Sequence, residues 1–172
     1  MSIFSIHGVS AIIPRKILGE KCILIQKRQK GSISSETGLL EIPCGKVKEQ
    51  ESSFDCLRNK VLIETGLLVI KIYGENDFNI KCFNQYEVIN YVPFFSSQNI
   101  RDNYPITIET FICKTKGDPV LESQDAKEIG WISLEKLKFL LEENEVLFYP
   151  MIVEPLKYFL NIEDSLMSNF YD

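Results

Sequence analysis

The segment from Gly45 to Leu67 constrains the fold more than any other, because a helix start and a helix stop bracket one amphipathic stretch. Ser52 and Ser53 are the candidate N-caps. Ser52 followed by Asp55 makes a capping-box-like start, and the carboxylate also suits the helix dipole. Phe54, Leu57, Val61 and Leu68 then recur at helical spacing, and Gly66 is the natural residue to close the helix in a left-handed turn. Just upstream, Leu39 to Pro43 is a short apolar run, with a loop beginning at Gly45. Strand, loop, helix and turn are therefore expected in that order.

Strands are expected on both sides of this helix. Residues 3–13 are rich in Ile and Val and end near Pro14; Lys16 to Lys21 form a turn about Gly19; Cys22 to Gln26 begin a second strand with a basic edge at Lys27, Arg28 and Lys30. Residues 31–38 read as a polar loop, and 67–73, 87–95 and 106–114 as further strands. In the last of these Ile106, Ile108 and Thr110 share one face, and Thr107, Glu109 and Phe111 the other. Gly117-Asp118-Pro119 marks a turn, Trp131 closes a short strand, and Ser133 caps a helix through Leu134, Leu137, Leu140 and Leu141. Pro150 and Pro155 bracket the start of a final helix carrying Leu156, Phe159 and Leu160, and residues 165–172 are expected to fray. The pattern predicts an α/β (α+β) chain: a single domain over residues 1–172, built as an α/β/α sandwich around a mixed sheet, with C-terminal helices at about 133–162.

Composition narrows the function classes. A chain of 172 residues with 45% hydrophobic content can bury a core without disulfide or metal staples. A net charge of -5 argues against a nucleic-acid backbone as partner, while a local basic patch leaves small anions open. The five cysteines (Cys22, Cys44, Cys56, Cys82, Cys113) include no C-x-x-C pair and read as reduced thiols of a cytosolic protein. His7 is the single histidine, so no zinc site is suggested. The N-terminus lacks a signal-peptide pattern and no apolar run approaches the roughly 20 residues of a spanning helix. A cytoplasmic protein without a membrane partner is expected.

Gly45, Glu51, Val61, Glu64, Gly66 and Leu67 fall on the pattern G-x5-E-x7-R-E-U-x-E-E-x-G-U, where U is aliphatic, with no insertion. The segment resembles the box of the Nudix (MutT-like) hydrolases. Asn59, Lys60 and Ile63 stand where that family has Arg, Glu and Glu. Leu40 to Val47 is similar to the family's leading strand, with Cys44 in place of a Gly, so the backbone there is expected to avoid strongly positive φ. Arg28 and the Glu128–Ser133 element followed by a leucine-rich helix extend the resemblance over about residues 3–145.

The resemblance implies hydrolysis of nucleoside-diphosphate-linked compounds with Mg2+ or Mn2+ held by box glutamates. It makes Glu64 the catalytic and metal-binding candidate, Glu51 a second metal candidate, and Gly45 and Gly66 structural residues. It also makes Arg28, Glu41, Lys46 and Lys60 the substrate-binding set, although Glu41 at a strand end can instead pair with Lys46 or Arg28. Helical spacing brings positions 60, 63 and 64 to one place, where Lys60, Ile63 and Glu64 change the local charge from about -3 to about 0. Lys60 can pair with Glu64, or contact a phosphate as a point charge. Three readings follow: a cleft for a nucleotide or other diphosphate with weak or lost hydrolase activity; an active diphosphatase using Glu64 with Glu109, Glu122 or Glu128; or a non-catalytic scaffold, with a homodimer left open. His7 reads as structural, Arg58 as turned about 100° from the box arginine position, and Glu142, Glu143 and Glu145 as a solvated helix end. None of Tyr91, Phe94, Phe95 and Tyr104 stands out as a stacking residue.

Overall fold

Strand β1 (Ile6–Ile12) lies parallel to the long strand β10 (Ile106–Lys116) in the register Ile6 to Ile106 and Ile12 to Ile112. The computed structural model describes residues 4–29, 35–75, 80–101, 104–166 and 170–171. Antiparallel partners flank the parallel pair: β5 (Cys44–Lys46) beside β1, and β6 (Leu68–Ile72) and β9 (Phe95–Gln98) beside β10. A second sheet sets β3 (Glu20–Arg28) between β2 (Pro14–Ile17) and β11 (Ala126–Ser133), with β4 (Leu40–Glu41) also on β3. The remaining strands, β7 (Lys81–Phe83) and β8 (Tyr86–Val88), make a separate exposed hairpin.

Alternation along the two central strands divides the core in two. Val9, Ala11, Phe111 and Cys113 face the box helix α1 (Ser53–Thr65), burying Phe54, Leu57 and Val61. Ile12, Ile106, Ile108 and Ile112 face the other way, onto α2 (Leu134–Glu143) and α3 (Pro150–Leu166) through Leu137, Ile152, Leu156 and Phe159. Helices on both faces of a mixed sheet give the α/β/α sandwich that the pattern predicts. No helix among the described residues is long and apolar enough to cross a membrane.

Most boundaries fall where the side chains place them. Ser52 is the N-cap of α1, accepting from the Asp55 N–H at 3.0 Å, and Gly66 closes it at φ 74°. Ser133 likewise caps α2. The turn between β2 and β3 narrows to Leu18 and Gly19, both at positive φ, so a leucine occupies a position that glycine fits best. Cys44 is absent from the positive-φ residues, as its replacement of glycine implies.

Two expectations are corrected. Residues 87–95 are not one strand: β8 ends at Val88 and β9 begins at Phe95. Pro93 between them lacks the N–H a continuous ladder needs, and Asn84 at φ 53° supplies the tight turn of the β7–β8 hairpin. The C-terminal stretch is tied down where it is described: α3 runs to Leu166, Phe170 packs edge-on against Tyr73, and Tyr171 donates to Glu163 beneath Lys21. Lys30 and positions 31–34 of the polar loop lie outside the described residues, as do 167–169 and 172 of the terminal stretch.

Candidate active site

The buried stripe of α1 runs Phe54, Leu57, Val61, Glu64, so Glu64 follows Val61 by one short helical step and turns inward with the core. It is 0% exposed. Its Oε2 accepts from the Gln26 Nε2 at 2.9 Å and from the Cys44 backbone N–H at 3.3 Å. The same Gln26 nitrogen donates to Glu41 Oε1 at 3.2 Å, so one amide bridges two buried carboxylates on β4 and α1. The Gln26 carbonyl oxygen finds no partner among the described residues, so the amide serves here as a donor to those two carboxylates.

Arg28 closes the other side of Glu41. Its Nη1 donates to Glu41 Oε2 at 2.7 Å, its Nη2 pairs with Glu36 at 3.0 Å, and the guanidinium lies 4.5 Å over the Tyr149 ring. Burial alone would lower the Arg28 pKa, but the charge and hydrogen bond of Glu41, with Cys44 and Glu36, raise it. Burial pushes the Tyr149 phenol up to about 12, against the pull of Arg28.

Lys60 takes a different course. Its stem crosses the face of Gly45, where an added Cβ would collide with Cγ, Cδ and Cε of Lys60. Gly45 is therefore needed for close approach, not for its φ. The Lys60 chain lines a cleft of about 490 Å³ together with Arg28, Lys46 and Lys48, the acid Asp125, and the apolar walls Tyr104, Tyr149, Ile106 and Ile108. The Lys46 ammonium stands 4.8 Å over the Tyr104 ring. Among the described residues Lys60 makes no ion pair, so the pairing with Glu64 that helical spacing allows does not form. Glu64 is turned under Gln26 while Lys60 runs out over Gly45.

The structure brings Arg28, Lys46 and Lys60 into one cleft, with Glu41 and Glu64 buried behind Cys44. It does not bring in Ile63, which is 64% exposed at the helix rim, so positions 60, 63 and 64 diverge instead of converging. Glu51 stands apart, accepting from the Lys48 N–H at 3.0 Å and lining a separate groove with Gln50, Asp55 and Glu87. That backbone hydrogen bond lowers its pKa first, helped by Cys56 and by Asn59, the residue at the box arginine position. Arg58 pairs through both terminal nitrogens with Glu75. Of the outside glutamates, Glu109 accepts from Tyr91 and meets His7 at 2.9 Å, Glu128 pairs with Lys27, and Glu122 is exposed. None of the three lines the cleft.

Gln26, Lys48, Asp125 and Tyr149 join the site without a sequence signal of their own. Leu24 is fully buried on the α1 side of β3, and Gln26 lies two residues further along the same face. That alternation could have flagged a buried polar residue, but not the partners of its amide.

A family model described as the NUDIX domain matches residues 7–152. The chain belongs to the NUDIX domain family. Among solved structures, a MutT protein from Methanosarcina mazei Go1 is similar at 21% identity and a TM-score of 0.64, covering 95% of this chain and 99% of that one. The ORF135 protein of E. coli is similar at 19% identity and a TM-score of 0.64, covering 96% and 95%. The NUDIX domain of Shewanella oneidensis NrtR, solved with ADP ribose, is similar at 13% identity and a TM-score of 0.58, covering 80% and 79%. No curated protein sequence matches the chain. These likenesses carry the fold.

The NUDIX family generally uses divalent metal ions, which makes the donor set of this chain the test. Among the described residues, no three His, Cys, Asp or Glu side chains gather closely enough to hold an ion. Glu64 has its Oε2 engaged by two N–H donors, Lys60 presents an ammonium, and Ile63 faces solvent. Magnesium prefers several oxygen ligands in near-octahedral array. These residues do not fit it.

Proposed function

We propose that this NUDIX protein binds a diphosphate-containing nucleotide derivative in the cleft lined by Arg28, Lys46, Lys48 and Lys60, with hydrolase activity weak or lost. The observation that carries the reading is Lys60, whose stem is seated on Gly45 and whose chain lines the cleft where the family's pattern has a metal-binding glutamate. Lys46 and Lys48 add positive charge, and Tyr104 with Ile106 and Ile108 offers an apolar wall for a base or sugar. The ADP-ribose complex of the Shewanella oneidensis domain supports a nucleotide derivative as the ligand class. The five cysteines are free thiols, which supports a cytoplasmic setting.

The test is a metal-dependent hydrolysis screen over nucleotide sugars, dinucleoside polyphosphates, nucleotide cofactors and nucleoside triphosphates, run beside binding calorimetry. Binding of one class with little or no turnover is the expected result. Robust turnover that Glu64→Gln abolishes would establish an active diphosphatase instead. Absence of both binding and turnover would leave a scaffold.

A further inference from the structure

The charges of this site are sorted into two layers. Glu41 and Glu64 are fully buried and joined by the Gln26 amide, each carboxylate taking one hydrogen bond from the same nitrogen. In front of them, beyond Cys44 and Gly45, four basic chains and one acid line the cleft among the described residues. A divalent ion that bridged a diphosphate to these carboxylates would have to reach two fully buried groups behind Cys44 and sit beside the Lys60 chain. Both requirements oppose it, the second by like-charge repulsion.

We infer that the cleft takes its diphosphate without a metal ion, with the Lys60 ammonium on the phosphate oxygens and the Gln26 amide holding together the carboxylates an ion would otherwise join. The inference rests on the diphosphate reading above and deepens it. A metal-free diphosphate carries its full negative charge to Lys46, Lys48 and Lys60, whereas complexation with magnesium neutralises part of that charge before binding. The favoured class is therefore the diphosphate diester, such as a nucleoside diphosphate joined to a sugar, over triphosphates that bind magnesium more strongly. Lys60 is seated for this role because Gly45 leaves room for its stem, and the chain lines the cleft.

The experiment titrates the full chain with ADP-ribose, and separately with inorganic pyrophosphate, by calorimetry in excess EDTA and in excess magnesium. ADP-ribose should bind in EDTA at least as tightly as in magnesium, to within about twofold, and pyrophosphate should bind more weakly in magnesium. Lys60→Met keeps the aliphatic stem over Gly45 and removes the charge; it should weaken ADP-ribose binding in EDTA by roughly tenfold or more. Lys60→Gln should do the same, with thermal melting confirming that either variant is folded. ADP-ribose binding that requires magnesium would overturn the inference while preserving the cleft reading. Binding in EDTA that neither variant weakens would overturn the role of Lys60. No binding of either probe in either buffer would overturn the diphosphate reading itself.

Discussion

At the scale of single residues, the site turns on an exchange of partners. Glu64 keeps its place in the box, yet its Oε2 accepts from Gln26 and Cys44, while Lys60 leaves Glu64 and enters the cleft. Gln26 is the joint. Replacing it with leucine would strip one hydrogen bond from each of two fully buried carboxylates, at a cost of about 1–3 kcal/mol for each group left short. Urea denaturation of Gln26→Leu should therefore show a loss of roughly 3 kcal/mol, with the far-ultraviolet spectrum retained. A variant as stable as the native chain would show that the amide bridge does not hold the site together.

At the scale of elements, α1 is bounded by two devices that can be tested apart from any ligand. Gly66 sits at φ 74°, and a Cβ there would approach Val120 Cγ1 at 3.1 Å. Gly66→Ala should destabilise the protein by about 1–2 kcal/mol from the left-handed strain alone, measured as a shift in the denaturation midpoint. This part of the fold was legible in the sequence, because Ser52, Asp55, Gly66 and the Phe54–Leu57–Val61 stripe act through local geometry. The split of residues 87–95 was not, since among the described residues Tyr86 to Val88 pair with Lys81 to Phe83 alone, across a turn that no glycine marks. The site was legible in part. Arg28, Glu41, Lys46 and Lys60 can be named from a pattern, and the Arg28–Glu41 pair follows from two opposite charges at strand ends. Gln26 cannot, because an amide acquires its role only when β3, β4 and α1 come together.

At the scale of the whole molecule, burial sets how stability responds to alkali. Burial pushes the Cys56 thiol up to about 11, aided by Glu51, and the Tyr149 phenol up to about 12; the Cys113 and Tyr171 protons are also held more tightly by burial. The folded protein keeps these protons over a range in which the unfolded chain releases them. Their contribution is therefore full below the ordinary values of 9.0 for Cys and 10.0 for Tyr, and is lost as pH rises through about 11 and 12. Urea midpoints should fall between neutral pH and about 11; a flat profile would contradict the burial of these groups. The same burial should sort the thiols, with exposed Cys82 alkylated first and Cys22, Cys44, Cys56 and Cys113 slow until denaturant is added, as read by mass spectrometry.

The most direct measurement is a crystal soaked with ADP-ribose and manganese together, with anomalous scattering used to locate the metal. The diphosphate is expected beside the Lys60 ammonium, with no manganese on Glu64. Manganese coordinated by Glu64, with the diphosphate bridging to it, would contradict metal-free binding in this cleft.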